Sequence, residues 1–295
     1  MLLLTGATGL LGTALLPRLT ARGLPVRCLV RDPKRLGPER VRVQIALGDL
    51  TDPQSFRNAL RGVTTVIHLA ASLRDQPGGS IEELNGIATW RMVEAAERAR
   101  VERFMFASAL GATAHDRTRF LRAKALAEDA VTGSEALRTT VFASSVVYAP
   151  GDPWLTLIER VSHAPLMPVS GRGRAIFEPI WAQDVADCIV ASVERGQTEP
   201  TERVELAGPE RLTQPEIVRL ALRAAGRERP LLPVPARVVR GGLRLSERLI
   251  GSRAPVTWDE AELLEVSLVS EFGTRDAEAL GVSPRRMADV LGVAA

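Results

Sequence analysis

The chain has 295 residues, of which 45% are hydrophobic, and its 38 basic and 35 acidic residues leave a formal net charge of +3. This length accommodates one large α/β domain or a domain with a smaller lobe, with ample apolar residues for a core. Because the basic residues are scattered, the charge predicts no nucleic-acid partner, and no apolar run reaches the roughly 18 residues of a membrane span.

Cysteine and lysine usage gives two further expectations. Cys28 and Cys188 fit no metal-ligand or redox spacing, so we expect buried thiols, no metal site and a cytoplasmic protein. The N-terminal leucines are expected to form the first strand, so we expect no cleavable signal peptide. All but two of the basic residues are arginines, and the exceptions are Lys34 and Lys124. Lysine is a compact ammonium that can lose its proton, so these two positions are candidate functional sites.

The segment TGATGLLG, Thr5–Gly12, follows an apolar tetrapeptide and precedes apolar residues at helical spacing. Strand, glycine turn and helix is the geometry that directs backbone N–H groups and a positive helix end at a pyrophosphate. Here Gly6 allows the tight turn, Gly9 lets the backbone approach the phosphates, and Gly12 lets the helix pack closely. The segment predicts a dinucleotide site. The contact residues expected from it are Gly6, Thr8, Gly9, Leu10, Leu11 and Gly12.

Strand-like and helical patterns alternate through the first half of the chain. The predicted strands are Val26–Val30, Val41–Ala46, Thr65–Leu69, Phe104–Ala107 and Thr139–Phe142. The predicted helices are Leu10–Arg22, Pro53–Arg61, Ile81–Arg100 and Thr118–Val131. Continuous apolar strands separated by helices predict a parallel sheet that is covered on both faces.

The pattern changes after Tyr148, where prolines become frequent. We expect a strand at Arg174–Pro179, a helix at Ala182–Arg195 and a strand at Arg203–Leu206 that returns to the main sheet. The sequence therefore predicts a Rossmann-type doubly wound α/β domain over residues 1–150, joined by the returning elements near 174–207. The rest of 151–295 forms a small, mainly helical C-terminal lobe.

The residues after the second and third strands bear on the cofactor. An acidic residue at the end of the second strand would hold the ribose hydroxyls of NAD, but Arg31 stands there, with Lys34 close behind. A guanidinium complements a 2′-phosphate, so we expect NADP(H), with NAD(H) as the alternative. Asp49, followed by Leu50, is placed to accept a hydrogen bond from the adenine amino group, or else it is a helix-capping turn residue.

These segments resemble the atypical short-chain dehydrogenases/reductases. The nearest resemblance is to the NAD(P)H-binding group that includes the accessory subunit of respiratory complex I and the NmrA and isoflavone-reductase relatives. The motifs that carry it are TGATGLLG, Leu29–Pro33, Gly48–Leu50, Val66–Ala71, Phe106–Gly111 and Val146–Tyr148. The resemblance implies that Leu69, Ala70, Ala71, Ser108 and Val147 also contact the cofactor.

The family's Tyr-x-x-x-Lys pair is incomplete here. In the enzymes that this chain resembles, tyrosine moves a proton to or from the substrate oxygen, and lysine lowers its pKa and holds the nicotinamide ribose. The corresponding segment is Phe120–Lys124, so lysine is present and the phenol is not. Loss of a positioned acid typically costs about 10²–10⁴ in rate. Two further departures are Ala143-Ser144 in place of Arg-Pro and Trp181 in place of histidine.

Three interpretations of the site remain. Lys124 acts alone as ribose anchor and general base, or the proton comes from a surrogate. The surrogates weighed are Tyr148, His115 and Asp116, with Ser108 as the family's serine. In the third interpretation there is no turnover and the fold senses or stores the cofactor. His68 is expected to be a core histidine.

Two function hypotheses follow. The first is an NADP(H)-dependent oxidoreductase that acts on a small, mainly apolar carbonyl or enone compound, with Lys124 as the central residue. The second is a cofactor-binding sensor or a respiratory-complex-type assembly or accessory protein. A sugar-nucleotide epimerase is disfavoured because that chemistry uses the absent tyrosine.

Aromatic residues that line an apolar pocket, or else belong to the core, are Trp154, Phe177 and Trp181.

The segment Ala236–Gly251 has a helical pattern with one basic face. Its arginines are Arg237, Arg240, Arg244 and Arg248, and the apolar residues opposite are Val238, Val239, Leu243, Leu245, Leu249 and Ile250. Such a helix docks on an anionic membrane or a protein partner, or it packs its apolar side into its own lobe.

Overall fold

A computed structural model describes residues 1–171, 173–251 and 254–293. The strands are β1 (Leu2–Thr5), β2 (Val26–Val30), β3 (Gln44–Leu47), β4 (Thr65–His68), β5 (Arg103–Ala109), β6 (Arg138–Ser144), β7 (Val147–Tyr148), β8 (Met167–Ser170), β9 (Ile176–Phe177), β10 (Ile180–Trp181), β11 (Thr201–Leu206), β12 (Leu212–Thr213) and β13 (Leu231–Val234). The α-helices are α1 (Leu10–Ala21), α2 (Pro53–Phe56), α3 (Ala88–Arg98), α4 (Arg119–Thr132), α5 (Pro153–Val161), α6 (Ala182–Arg195), α7 (Gln214–Ala224), α8 (Ala236–Ile250), α9 (Trp258–Leu263), α10 (Arg275–Ala279) and α11 (Met287–Val290).

The central sheet has seven strands in the order β11-β6-β5-β4-β1-β2-β3, and all neighbouring strands are parallel. The chain winds outward in both directions from β1 and β4, whose last residues Thr5 and His68 are paired. Such a reversal of strand order leaves a crevice outside the carboxyl ends of the two strands. The prediction of a doubly wound parallel sheet is confirmed, and the segment predicted to return to the sheet does so as β11 beside β6.

Both faces of this sheet are covered by helices. On one face, Leu15 and Leu19 of α1 and Ile189 of α6 pack in one buried cluster with β1, β2 and β4. On the opposite face, residues of α3 and α4 such as Met92 and Val131 form a second cluster with the alternate residues of the strands. Successive strand residues point to opposite faces, so strands buried on both sides read as the continuous apolar runs seen in the sequence.

The C-terminal lobe forms over the carboxyl end of β6. It contains three two-stranded pairs, β7–β10, β8–β13 and β9–β12, with α5, α7, α8 and α9 around them. A third buried cluster joins Tyr148, Phe177, Ile217 and Leu268. Among the described residues, no helix combines the length and apolarity needed to cross a bilayer.

Several predicted elements differ from the observed ones. The expected strand Arg174–Pro179 is reduced to Ile176–Phe177, because the backbone N–H of the next residue, Glu178, donates to Ser145 Oγ (3.0 Å) and its carbonyl accepts from the Gly208 N–H (3.0 Å). The expected strand Val41–Ala46 begins only at Gln44, since the preceding Pro33–Val41 forms 3₁₀ turns.

Two predicted helices are also interrupted. Pro53–Arg61 changes at Arg57 from α to 3₁₀ geometry. Ile81–Arg100 contains the π-helical turn Glu83–Ile87 before α3 begins. Helical periodicity indicates one continuous element here, but it does not report an extra residue in a turn.

The prediction that His68 is a core histidine is confirmed. Its ring lies within hydrogen-bond distance of Thr5 Oγ1 on β1 (2.8 Å from Nδ1) and of Thr89 Oγ1 on α3 (3.1 Å from Nε2). Burial, with a smaller contribution from the charge of Lys124, lowers the pKa of His68 to about 3. The ring is therefore neutral and connects the sheet to α3 at the strand-order reversal.

This buried histidine predicts a pH dependence of stability. The pKa of His68 is lower in the folded state than in the unfolded state, where it is about 6.5. The contribution of neutral His68 to the free energy of unfolding is therefore complete above pH 6.5 and is lost as the pH falls toward 3. This one group removes about 1.4 kcal/mol per pH unit within that range. Urea unfolding from about pH 7.5 to about pH 4.5 measures the slope.

The His68→Asn variant is expected to be less stable at neutral pH but to show a shallower loss on acidification. His115→Asn is the matched control, because His115 is exposed and its replacement should leave the slope unchanged. Equal slopes for wild type and His68→Asn would contradict the assignment.

Candidate functional site

The glycine turn between β1 and α1 lies against the backbone that follows β4. Gly6 has φ +70°, and a Cβ built on it would lie 2.6 Å from Ala70 N and 2.7 Å from Leu69 C. A Cβ on Gly12 would meet Gly6 O and would lie 2.6 Å from Ala7 Cα. Both positions therefore require glycine for close approach.

The outer side of the same turn is open. Gly9 is exposed, and a Cβ there would have one close neighbour, Gly6 O at 3.3 Å. Gly9 is also the N-cap of α1, and no side chain caps the helix or places a carboxylate in its first turn. The first N–H groups of α1, around Leu10 and Leu11, are thus left for an anionic ligand. Thr8, between Gly6 and Gly9, is half-buried at this rim.

The predicted contact residues after β4 face the glycine turn. Leu69 N–H donates to Thr5 O (3.3 Å), which holds the two strand ends side by side. Leu69 and Ala70 are half-buried and Ala71 is exposed. The structure thus brings the glycine turn and this segment together at the strand-order reversal, where doubly wound folds bind nucleotides.

The predicted adenosine end lies at the ends of β2 and β3. Arg31 and Lys34 are exposed, and neither forms an ion pair with a carboxylate in the part of the chain that the structure describes. Asp49 Oδ1 accepts hydrogen bonds from the N–H and hydroxyl of Thr51, both at 2.9 Å. One oxygen of this carboxylate therefore shapes the turn. Leu50 beside it is half-buried.

Lys124 lies at the predicted nicotinamide end. Its side chain is buried on α4, and Nζ donates to Ala107 O on β5 at 2.7 Å. Nζ also lies 4.7 Å from the centre of the Phe106 ring. Burial lowers the pKa of Lys124 to about 8. This amine can therefore exchange a proton near neutral pH, which an exposed lysine does poorly.

Ser108 and Phe120 complete the surroundings of this amine. Ser108 follows the carbonyl that Lys124 binds, and its buried Oγ has no hydrogen-bond partner among the described residues. An unpaired buried hydroxyl is a candidate ligand contact. Phe120 precedes Lys124 by one helical turn, and the Lys124 Nζ lies 5.7 Å from its ring centre. Lysine and phenyl ring thus share one face of α4, but the ring cannot transfer a proton.

The proposed surrogates lie in different surroundings. Tyr148 is fully buried, and burial, together with Asp184 and Glu210, raises its pKa. Its hydroxyl is thereby a weaker acid than an ordinary phenol. Asp116 accepts hydrogen bonds from the N–H and hydroxyl of Thr118, both at 2.7 Å, before α4. His115 is exposed.

The three aromatic residues of the candidate pocket pack with the lobe core. Trp154, Phe177 and Trp181 belong to the same cluster as Phe120 and Tyr148. Val147, a further predicted contact, is half-buried and pairs with Ile180. Cys28 and Cys188 are free and buried, as expected.

The sequence interpretation missed Asn85. This buried amide donates to Ser72 O (2.8 Å) and Ile81 O (2.7 Å) and accepts from Ser72 N–H (3.0 Å). It fixes the loop after the predicted contacts Leu69–Ala71. The available signal was the dipeptide Asn85-Gly86, a turn sequence inside a helical pattern.

Arg119 was also missed. It binds Glu82 (2.7 Å) and Asp75 (3.0 Å) and reaches Asp259 on α9 (3.4 Å). Arg74, which precedes Asp75 in the loop after β4, binds Glu260 on α9 at 2.7 Å. The Arg119–Asp259 and Arg74–Glu260 pairs connect the nucleotide-binding domain to the lobe, and the members of all these pairs are too far apart in sequence for any local pattern to show.

The site has the features that a nicotinamide dinucleotide requires. The glycine turn leaves room for a pyrophosphate and no side chain caps the start of α1. Lys124 on α4 and Ser108 on β5 supply a buried amine and an unpaired hydroxyl. Among the described residues, no group of His, Cys, Asp and Glu side chains could hold a metal ion.

Comparison with known proteins gives the same assignment. A family model described as NAD(P)H-binding matches residues 6–195. Sterol demethylase protein B of Methylococcus capsulatus is 30% identical over 273 residues, which cover 84% of this chain and 81% of that protein. The mitochondrial NADH dehydrogenase [ubiquinone] 1 alpha subcomplex subunit 9 of Arabidopsis thaliana is 28% identical over 226 residues, covering 73% of this chain and 55% of that protein.

A solved structure shares the fold over almost the whole chain. It is an NADPH-dependent quinone oxidoreductase of Escherichia coli in complex with NADPH, with a TM-score of 0.77 and 16% sequence identity. The similarity covers 99% of each chain.

The glycine turn predicts a sharp mutational effect. Gly12→Ala would place a methyl group against Gly6 and Ala7, so we expect a loss of about 1–3 kcal/mol in stability and at least about tenfold weaker dinucleotide binding. Thermal unfolding and fluorescence titration measure the two effects. Gly242→Ala in α8 is the control, because a Cβ there meets nothing within 4 Å. Equal behaviour of both variants would contradict the geometry.

Proposed function

Because this chain belongs to the NAD(P)H-binding family, we propose that it is an NADP(H)-dependent oxidoreductase that acts on a small, mainly apolar carbonyl or enone compound. The observation that carries the proposal is Lys124, a buried amine with a pKa of about 8 at the predicted nicotinamide end. The cofactor, when bound, supplies or accepts the hydride. The protein must then supply or accept the accompanying proton.

Lys124 is the group that we assign to this proton. Reduction of a carbonyl places a hydride on carbon and a proton on oxygen, and the ammonium of Lys124 donates that proton and regains it from water. The hydrogen bond to Ala107 O (2.7 Å) orients Nζ. The lowered pKa makes the ammonium a stronger acid than an ordinary lysine. Ser108, whose Oγ is unpaired, is placed to bind the substrate oxygen or the cofactor.

The preference for NADP(H) rests on two exposed cations. Arg31 follows β2 where a ribose-binding acid would stand in an NAD-dependent protein. Lys34 lies in the next turn and is exposed as well. Together they offer a bidentate and a monodentate partner to a 2′-phosphate.

The apolar substrate is supported by the core that surrounds the site and by a relative. Phe120, Tyr148 and Phe177 give the nicotinamide end an apolar environment. One relative, sterol demethylase protein B, is named for a sterol, and sterols are largely apolar compounds.

A second candidate function is a cofactor-binding accessory or assembly protein without turnover. Phe120 in place of the family's proton-transferring tyrosine favours it. So does the similarity to a subunit of NADH dehydrogenase. In this alternative Lys124 anchors the ribose only.

Replacement of Lys124 tests the proposed proton transfer. Lys124→Met is expected to lower kcat/KM for NADPH-dependent reduction by about 10²–10⁴, because the proton donor is lost. In the wild type, reductive activity should fall as the pH rises above about 8, since the ammonium is then deprotonated. Lys124→Arg should keep the positive charge but lose the proton transfer, because a guanidinium does not give up its proton, so its remaining activity should show no decline near pH 8. Steady-state rates with a panel of carbonyl and enone compounds measure both effects.

Phe120→Tyr separates the two functions. An enzyme that uses Lys124 is active before the substitution. A protein that gains NADPH oxidation only with Tyr at this position is a binder, and that outcome would overturn the oxidoreductase proposal.

Replacement of Arg31 tests the preference for NADP(H). NADPH should bind at least about tenfold more tightly than NADH, and Arg31→Asp should abolish this ratio by repelling the 2′-phosphate. Fluorescence titration of both nucleotides measures the ratio. Arg40→Asp, which changes an exposed arginine of the same domain, controls for net charge. A ratio that Arg31→Asp leaves unchanged would remove Arg31 from the site.

A further inference from the structure

Helix α8 is attached to the lobe by one side only. Val239, Leu243 and Glu247 share this side and are half-buried. The Glu247 carboxylate accepts a hydrogen bond from the N–H of Trp258 at the start of α9. These contacts give the helix a fixed orientation on the lobe.

A second side of α8 is apolar and exposed. Val238, Leu245 and Leu249 expose 61%, 58% and 77% of their surface. With 3.6 residues per turn they form one stripe, about 140° around the helix from the lobe-facing side. None of the described side chains of α8 is buried. The sequence pattern placed the apolar residues largely on one side, but the structure divides them, and only part of them packs on the lobe. The side chain of Ile250 lies outside the described residues.

The third side carries the arginines. Those that share it are Arg237, Arg240, Arg244 and Arg248, and all four are exposed. No ion pair joins any of them to a carboxylate within the described ranges. Arg240 instead lies over the ring of Trp258, 5.2 Å from its centre. The one acid of the helix, Glu247, accepts the hydrogen bond from the Trp258 N–H, and four arginines against one acid leave α8 with a formal net charge of +3.

We propose that α8 docks this protein on an anionic membrane surface. The apolar stripe enters the interface and the neighbouring arginines bind lipid phosphates, which guanidinium groups match bidentately. Charge complementarity selects this occupant. A second copy packed stripe on stripe would bring two rows of arginines together without acids to pair them. The proposal depends neither on turnover nor on cofactor binding.

The test is cosedimentation of the full chain with vesicles of phosphatidylcholine, with and without phosphatidylglycerol, at low and high salt. The wild type should bind the anionic vesicles, and salt should weaken this binding. Arg244→Gln/Arg248→Gln should lower the partition coefficient about 25-fold, at about 5-fold per arginine. Leu245→Gln/Leu249→Gln should lower it at least about tenfold, even at low salt.

Two control variants match these changes. Arg219→Gln/Arg223→Gln removes two exposed arginines from α7, and Val41→Gln/Leu47→Gln removes two exposed apolar residues from the nucleotide-binding domain. Both should bind within about threefold of wild type. Circular dichroism confirms that each variant is folded.

Three results would overturn the proposal. They are absence of wild-type binding, equal binding to neutral and anionic vesicles, and control variants that lose as much binding as the α8 variants. A change of oligomeric state in light scattering on Leu245→Gln/Leu249→Gln, without vesicle binding by the wild type, would assign the stripe to a contact between copies of this chain.

Discussion

The close approach of two backbone segments at the centre of the sheet is the constraint on which the rest depends. Gly6 has a left-handed conformation and touches the backbone at Leu69 and Ala70, while Gly12 touches the turn itself. Any side chain at these positions would separate β1 from the end of β4 or tilt α1. Because the start of α1, the position expected for the pyrophosphate and the strand-order reversal coincide there, the same few atoms shape both the fold and the expected nucleotide site.

Local patterns in the sequence predicted most of this arrangement. The glycine segment and the buried strands follow from local patterns. The places of Lys124 and Phe120 on α4 follow from the helical pattern together with the resemblance to the Tyr-x-x-x-Lys pair. The contacts between domain and lobe could not be predicted, because the partners of Arg119 and Glu178 lie far away in the chain and carry no periodic signal. The π-helical turn at Asn85 was not predicted for another reason, because one inserted residue barely alters the spacing of apolar residues in a helix. The division of α8 into three sides depends on which neighbour covers it.

Burial of Lys124 has an energetic cost that the fold sustains. The pKa of Lys124 is lowered from 10.5 to about 8. The protein therefore favours the charged form of this lysine by about 3 kcal/mol less than water does. A methionine would fill the same space without that loss. The ammonium is instead held by one carbonyl and two aromatic rings. A buried amine kept at such a cost, on the helix beside the strand that carries the unpaired Ser108 hydroxyl, is a candidate functional residue.

The two lysines of this chain have a consequence for covalent chemistry. Amine-directed reagents find two side chains, exposed Lys34 and buried Lys124. Lys34 is the one that is readily acylated, and it lies at the edge where the adenosine ribose is expected. Because every other basic side chain is an arginine, a fluorophore coupled to a lysine side chain attaches at this one position and reports on nucleotide occupancy.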